Sequence, residues 1–249
     1  MTILVFIFGL IIGSFFNVLV FRLDREKGIL LGRSKCLKCK RALKWYDLVP
    51  VLSFLVLKTR CRYCKERISF IYPVVELATG IIFLLFFLKL GLPITIELWF
   101  SLILLLFLIP LIFFDYLYYI IPDKVIFPAI GLSLLFSFFV KRSEFIELLT
   151  SGLLLGGVFA ILYIVSKGKW VGLGDAKLLF LIGMAFGYPL GFLIVTFSTW
   201  AATVLGLALI ILKRASLKSE IPFGLFLSIV TIIFIIFQNE TQTLKLFFY

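Results

Sequence analysis

Eight long runs of apolar residues leave this chain few choices of fold. A helix needs about 20 such residues to cross a hydrocarbon layer, and a segment in lipid must satisfy its own backbone hydrogen bonds. The runs fall near 2–21, 70–91, 97–114, 124–140, 146–166, 176–190, 191–212 and 221–237. The expected fold class is therefore an all-α polytopic membrane protein with about eight transmembrane helices. Composition agrees, with 63% hydrophobic residues, 15% charged residues and 30 phenylalanines, far from the average of a soluble domain. The sixth run is short, and its boundary with the seventh falls at Gly187-Tyr188-Pro189. Met1–Val20 lacks a basic leading region and a small-residue cleavage site, so it reads as a first span that is retained.

A single polar stretch interrupts this pattern. The chain is expected to divide into a first transmembrane helix at 1–22, a cytoplasmic four-cysteine module at 23–69 and a transmembrane bundle at 70–249. The net charge is +12, and fourteen Lys or Arg lie between Arg22 and Arg67 against the four acids Asp24, Glu26, Asp47 and Glu66. Basic loops stay on the cytoplasmic side. Alternating spans then bring Asp123-Lys124, the segment Ser166–Lys169 and Lys213-Arg214 to the same side. A basic loop beside a membrane reads as a topology signal and an anionic-lipid contact, so membrane lipid is an expected partner and nucleic acid is not. No duplicated halves are visible, which disfavours the transporter architectures built from repeats.

All four cysteines sit in that loop, as Cys36-Leu-Lys-Cys39 and Cys61-Arg-Tyr-Cys64, with 21 residues between the pairs. Two such pairs can offer four thiolates in a tetrahedron, the geometry of a structural zinc. Lys35, Lys38, Lys40, Arg60, Arg62 and Lys65 flank them and would offset the negative charge of a zinc tetrathiolate. The competing reading, a pair of disulfides, conflicts with the reducing cytoplasm.

The chain contains no histidine, so a base of the Ser-His or Cys-His kind is impossible. Carboxylates remain, and an ionisable residue within the apolar runs is a functional hypothesis by default. Glu76 lies one to two turns inside the second run. Asp115, in FFDYLYYIIPD, follows the uninterrupted run Leu102–Phe114, and Asp175, in GLGDAKLLF, follows the Gly172-Leu173-Gly174 turn. Both aspartates fall toward the cytoplasmic ends of their runs. Two carboxyls that share a proton can supply an acid and a base together. Asp123 follows Pro122 at the start of a run and reads first as a helix-capping or first-turn anion.

Read in order, six segments resemble the type IV prepilin peptidase family, membrane aspartyl proteases of the GxGD kind. They are GSFFNVLVFRL (Gly13–Leu23), the segment Ser34–Leu55 with CRYC and KERIS after it, YPVVELATG (Tyr72–Gly80), FFDYLYYIIPD, GLGDAKLL and IPFGLFL (Ile221–Leu227). The resemblance implies hydrolysis of the short basic leader of type IV prepilins or pseudopilins at the cytoplasmic membrane face, with Asp115 and Asp175 as the catalytic carboxyls. The location implied is a prokaryotic cytoplasmic (inner) membrane. The matching blocks also contain Gly172, Gly174, Asp123, Pro222 and Gly224. Many members methylate the new amino terminus with S-adenosylmethionine, and the matching blocks in the amino-terminal half point to Asn17, Glu76 and Gly80 for that work. The loop departs from the family at Asp47-Leu48-Val49-Pro50, where asparagine more usually follows the aspartate. Other classes compatible with the carboxylates are a presenilin-like or signal-peptide-peptidase-like intramembrane protease and an ion-coupled transporter.

Overall fold

The computed structural model describes residues 1–23, 34–36, 38–214, 216 and 219–238. The start of the predicted cysteine module, 24–33, and the end of the predicted bundle, 239–249, lie outside the described residues. All eight predicted runs are helical, and no strand occurs among the described residues beyond two isolated bridges. The protein is all-α. Its chain forms two compact units, Met1–Leu92 and Pro93–Tyr249.

The first unit pairs helix α1 (Thr2–Arg22) with helix α3 (Ile71–Leu90). Glycine spacing explains how closely they approach. Gly9 and Gly13 lie four apart, one turn of the same face, and a Cβ at these positions would come within 2.8 Å of the Gly80 Cα and 2.7 Å of the Glu76 Cα. Small residues of this kind let helix backbones meet where the hydrophobic effect offers no drive between helices in lipid. Phe21 stacks on Tyr72 at one end of the pair, with ring centroids 4.7 Å apart. Between the two long helices the chain makes a short 3₁₀ turn, Trp45–Asp47, and a five-residue helix α2 (Leu52–Val56).

The second unit contains α4 (Ile96–Tyr118), α5 (Asp123–Phe139), α6 (Phe145–Ser166), α7 (Leu173–Phe186), α8 (Leu190–Ile211) and α9 (Phe223–Ile236). Among the described residues five helices, α1, α3, α4, α6 and α8, are long and apolar enough to cross a membrane by length and composition alone. The polytopic character stands, but α7 and α9 are only 14 residues long, about 21 Å at 1.5 Å per residue. Helix α7 is the core of the unit. It packs on α5, α6, α8 and α9, and Leu178, Leu179, Leu181, Ile182 and Met184 are buried. Glycines again set the closest contact, because a Cβ on Gly183 of α7 would meet the Gly152 backbone of α6 at 2.5 Å. The predicted boundary between the sixth and seventh runs is borne out: α7 ends at Phe186 and α8 begins at Leu190.

Candidate active site

Helix α4 runs three residues past Asp115 before Tyr119 ends it in the left-handed conformation, φ 54°. Asp115 therefore sits inside the last turn and is buried, with 5% of its surface exposed. It has a hydrogen-bond partner far away in sequence. Helix α9 begins after Pro222, and its second and third residues, Gly224 and Leu225, carry N–H groups without an intrahelical acceptor. The Leu225 N–H donates to Asp115 Oδ2 at 2.7 Å, and the Gly224 N–H is directed at the same carboxyl. Asp115 thus caps a helix to which it does not belong. The positive end of the α9 dipole favours an anion at this position.

Asp175 occupies the third position of α7, whose cap residue is Gly172. Its carboxyl reaches back to the Gly172 N–H, the acidic half of a capping box. It also lies within electrostatic reach of Asp115. The two aspartates are accordingly held at two helix N-termini on one end of the second unit. Between them stands a residue that sequence reasoning did not single out. A Cβ on Gly174 would lie 2.9 Å from the Ile121 Cβ, and a Cβ on Gly224 would lie 2.8 Å from the Ile121 Cδ1 and 3.1 Å from Asp115 Oδ2. The glycines beside the aspartates leave room for the Ile121 side chain and for the Asp115 carboxyl.

Asp123 opens α5 as its first residue and pairs with Lys177 of α7, while the Lys177 ammonium also lies 4.9 Å from the centroid of the Phe127 ring. Of the two expected roles, Asp123 takes that of a first-turn anion: the cap residue of α5 is Pro122, and no side-chain cap bond is made. Lys177 went unnoticed in the sequence, although it follows Asp175 by two residues.

In the first unit Glu76 of α3 is buried and gathers donors from two directions. The Val51 N–H donates to Glu76 Oε2 at 2.8 Å, and Ser14 and Asn17 of α1 hydrogen-bond to the same carboxyl. Val51 is β-branched yet held at φ 60°, ψ −49°, a conformation that persists only where the surroundings impose it. The Asn17 amide donates to the Tyr72 carbonyl at 3.0 Å, and its Oδ1 is buried with no partner. Gly80 serves close packing, since Leu10 and Phe6 of α1 fill the space where its Cβ would be.

The cysteines lie on two turns of one design. Around the first, the Lys40 N–H donates to the Cys36 carbonyl at 2.9 Å, the Cys36 N–H to the Arg41 carbonyl at 3.0 Å and the Leu43 N–H to the Ser34 carbonyl at 2.7 Å. Around the second, 25 positions on, Lys65, Cys61 and Ile68 donate to Cys61, Glu66 and Thr59 at 3.0, 2.8 and 2.7 Å. Lys40 and Lys65 both take positive φ, 57° and 61°. The sequence signal for this local repeat is the shared C-x-x-C-K spacing of CLKCK (36–40) and CRYCK (61–65). The four Sγ atoms lie within 4.8 Å of one another, and those of Cys36 and Cys64 are 3.8 Å apart. A tetrahedral metal with bonds of about 2.3 Å places its sulfurs about 3.8 Å apart, so the cluster could hold a metal ion. The cysteines are free thiols, which excludes the paired-disulfide alternative in this structure. Burial opposes ionisation of Cys36, but the backbone N–H groups of Cys39 and Lys38, together with hydrogen bonds from the Cys39 and Cys61 side chains, outweigh it and bring the thiol down to about 7. Of the flanking cations, Lys38 is committed to Glu66, and Arg62 Nε donates to the buried Asp47 Oδ1 at 2.8 Å.

The fold and these sites define an all-helical membrane protein with buried carboxylates near its helix ends and a four-thiol module that could bind metal. The chain belongs to the type IV leader peptidase family, which residues 102–237 match; residues 7–90 match the bacterial peptidase A24 N-terminal domain. The prepilin leader peptidase/N-methyltransferase of Bacillus subtilis (strain 168) is 31% identical over 228 residues, covering 89% of this chain and 88% of that protein. The protein of the same description from Klebsiella pneumoniae is 36% identical over 195 residues, 74% of this chain and 84% of its own length. A Myxococcus xanthus relative, also so described, is 40% identical over 133 residues, 53% of this chain and 39% of that protein. No solved structure matches the chain.

Proposed function

We propose that this protein is a prepilin leader peptidase and N-methyltransferase. It would cut the basic leader from type IV prepilins or pseudopilins at the cytoplasmic face of the inner membrane. The observation that carries the peptidase reading is the seating of Asp115 and Asp175 at two helix N-termini around one side chain, in the segment that matches the peptidase family. One carboxylate takes a proton from a water as its oxygen attacks the scissile carbonyl carbon. The other, protonated, hydrogen-bonds the developing oxyanion and then gives its proton to the leaving amine as the C–N bond breaks. Water is consumed, and one carboxylate and one carboxylic acid remain. Nothing favours a presenilin-like protease or a transporter over this reading.

Methylation belongs to the first unit. S-adenosylmethionine, when bound, supplies an electrophilic methyl group to the new amino terminus. The residues present fit such a group: Asn17 Oδ1 is a buried acceptor without a donor, and the Glu76 carboxyl beside it is suited to an amine or a cation. In the cysteine module, Cys36, Cys39, Cys61 and Cys64 would hold a structural zinc, since four thiolates close its coordination shell. Incubating the detergent-purified protein with a prepilin carrying a basic leader, with and without S-adenosylmethionine, tests both activities by mass spectrometry. A leader left intact under both conditions would overturn the peptidase assignment.

A further inference from the structure

We propose that Ile121 is a positioning residue for the aspartate pair, a wedge that sets where the two carboxyls stand relative to each other. The proposal rests on the reading of Asp115 and Asp175 as the catalytic carboxyls. Its observations are independent of that reading.

Ile121 lies in the four-residue link between α4 and α5, Tyr119-Ile120-Ile121-Pro122. Both ends of the link are fixed. Tyr119 closes α4 through its N–H to the Asp115 carbonyl at 3.0 Å, so the link leaves from the last helical turn, the one that carries the Asp115 carboxyl. Pro122 restricts the backbone before it to extended conformations and is itself buried. Beyond it, Asp123 pairs with Lys177 and ties the start of α5 to α7. The Ile121 side chain is thereby presented to two glycines with different closest atoms: a Cβ on Gly174, the neighbour of Asp175, would meet Ile121 Cβ at 2.9 Å, with Cγ1 and Cδ1 farther at 3.4 and 3.5 Å, whereas a Cβ on Gly224, whose N–H points at Asp115, would meet Cδ1 at 2.8 Å. One side chain touches both backbones that orient the reacting groups. A misplacement of about 1 Å in such groups costs about a hundredfold in rate, so a side chain that merely separates them governs turnover without touching substrate.

The contacts are specific enough to test atom by atom in the full-length protein purified in detergent. Ile121→Ala is expected to lower kcat about 10- to 100-fold with KM within about twofold, and to move the pH-rate profile. Ile130→Ala, on α5 and away from both glycines, is expected to leave kcat and the profile unchanged. Val at 121 keeps the Cβ and removes the Cδ1. Gly224→Ala should therefore lose activity in the parent and recover a measurable part of it, at least about threefold, when combined with Ile121→Val. Gly174→Ala should show no such recovery, because its clash is with the retained Cβ. Equal behaviour of the two glycine variants in the Val background would overturn the wedge. So would Ile121→Ala with parental kcat and pH profile while Asp115→Asn and Asp175→Asn are dead. Aspartate variants that remain active would remove the dyad reading itself, and the wedge with it. A fall in thermal stability and active fraction with an unmoved pH profile would assign Ile121 to packing alone.

Discussion

The Leu225 N–H donates to Asp115 Oδ2 at 2.7 Å, across 110 positions of chain. Two sequence blocks that look unrelated, FFDYLYYIIPD and IPFGLFL, are two halves of one contact. The first turn of α9, which begins after Pro222, supplies the donors through the Gly224 and Leu225 N–H groups, and Gly224 supplies the space, since a Cβ there would press on the carboxyl at 3.1 Å. Asp175 has its own helix N-terminus and its own cap donor, Gly172.

If these carboxyls perform the cleavage, Asp115→Asn and Asp175→Asn should each lower it by about 10²- to 10⁴-fold. Asparagine keeps the volume and an acceptor oxygen for the capping N–H groups but cannot exchange a proton. Asp123→Asn weakens only an ion pair whose aspartate is 60% exposed, and exposed pairs contribute about 1 kcal/mol or less. It should keep cleavage within about tenfold of the parent. Parental rates in either of the first two variants, in a prepilin cleavage assay, would end the assignment.

The cysteine cluster predicts one metal per chain. With Sγ atoms already within 4.8 Å of one another, little rearrangement separates the free thiols from a coordination shell, and elemental analysis should find zinc at one equivalent. Cys36→Ser and Cys61→Ser should each lose it, together with protection of the loop from protease. Metal-free protein with four titratable thiols would overturn the zinc reading.

Helix packing is testable with glycine alone. Gly183→Ala places a methyl group 2.5 Å from the Gly152 backbone, where no side chain can rotate away, so overpacking should cost about 1–3 kcal/mol. Gly157→Ala meets nothing within 4 Å and should be neutral or stabilising by up to about 1 kcal/mol. Thermal unfolding in detergent distinguishes them. Equal midpoints for the two variants would mean that α6 and α7 do not meet as described.

Much of this was legible in the sequence because the relevant signals are local. Apolar runs of membrane length became helices at the expected places, and the boundary at Gly187-Tyr188-Pro189 separated α7 from α8. What escaped was non-local. Asp115 looked free of any capping role because its own helix offers none, and the helix that it caps begins over a hundred residues later. Ile121 carried no chemical signal at all. Its importance comes from the two absent Cβ atoms that it faces, and no pattern of residue types around it announces that. Val51 is a similar case, an ordinary apolar letter held at positive φ by a buried carboxyl.

Glu76 offers the sharpest separation between the two proposed activities. Its carboxyl accepts the Val51 N–H at 2.8 Å and is met by Ser14 and Asn17, all within the first unit, whereas both aspartates lie in the second. Gln at this position retains an oxygen for the Val51 N–H, so the strained turn after Pro50 can persist, but it removes the charge that would favour an amine or a cation beside Asn17 Oδ1. Glu76→Gln should therefore impair methylation of a pre-cleaved pilin at least about tenfold more than cleavage of an intact prepilin, as expected when a charge-assisted hydrogen bond is lost. Asp175→Asn should do the reverse, blocking cleavage while calorimetry still detects S-adenosylmethionine binding. Equal loss of both activities in Glu76→Gln would show that Glu76 serves only to fasten the Pro50-Val51 turn onto α3, and would leave the methylation site to be found elsewhere.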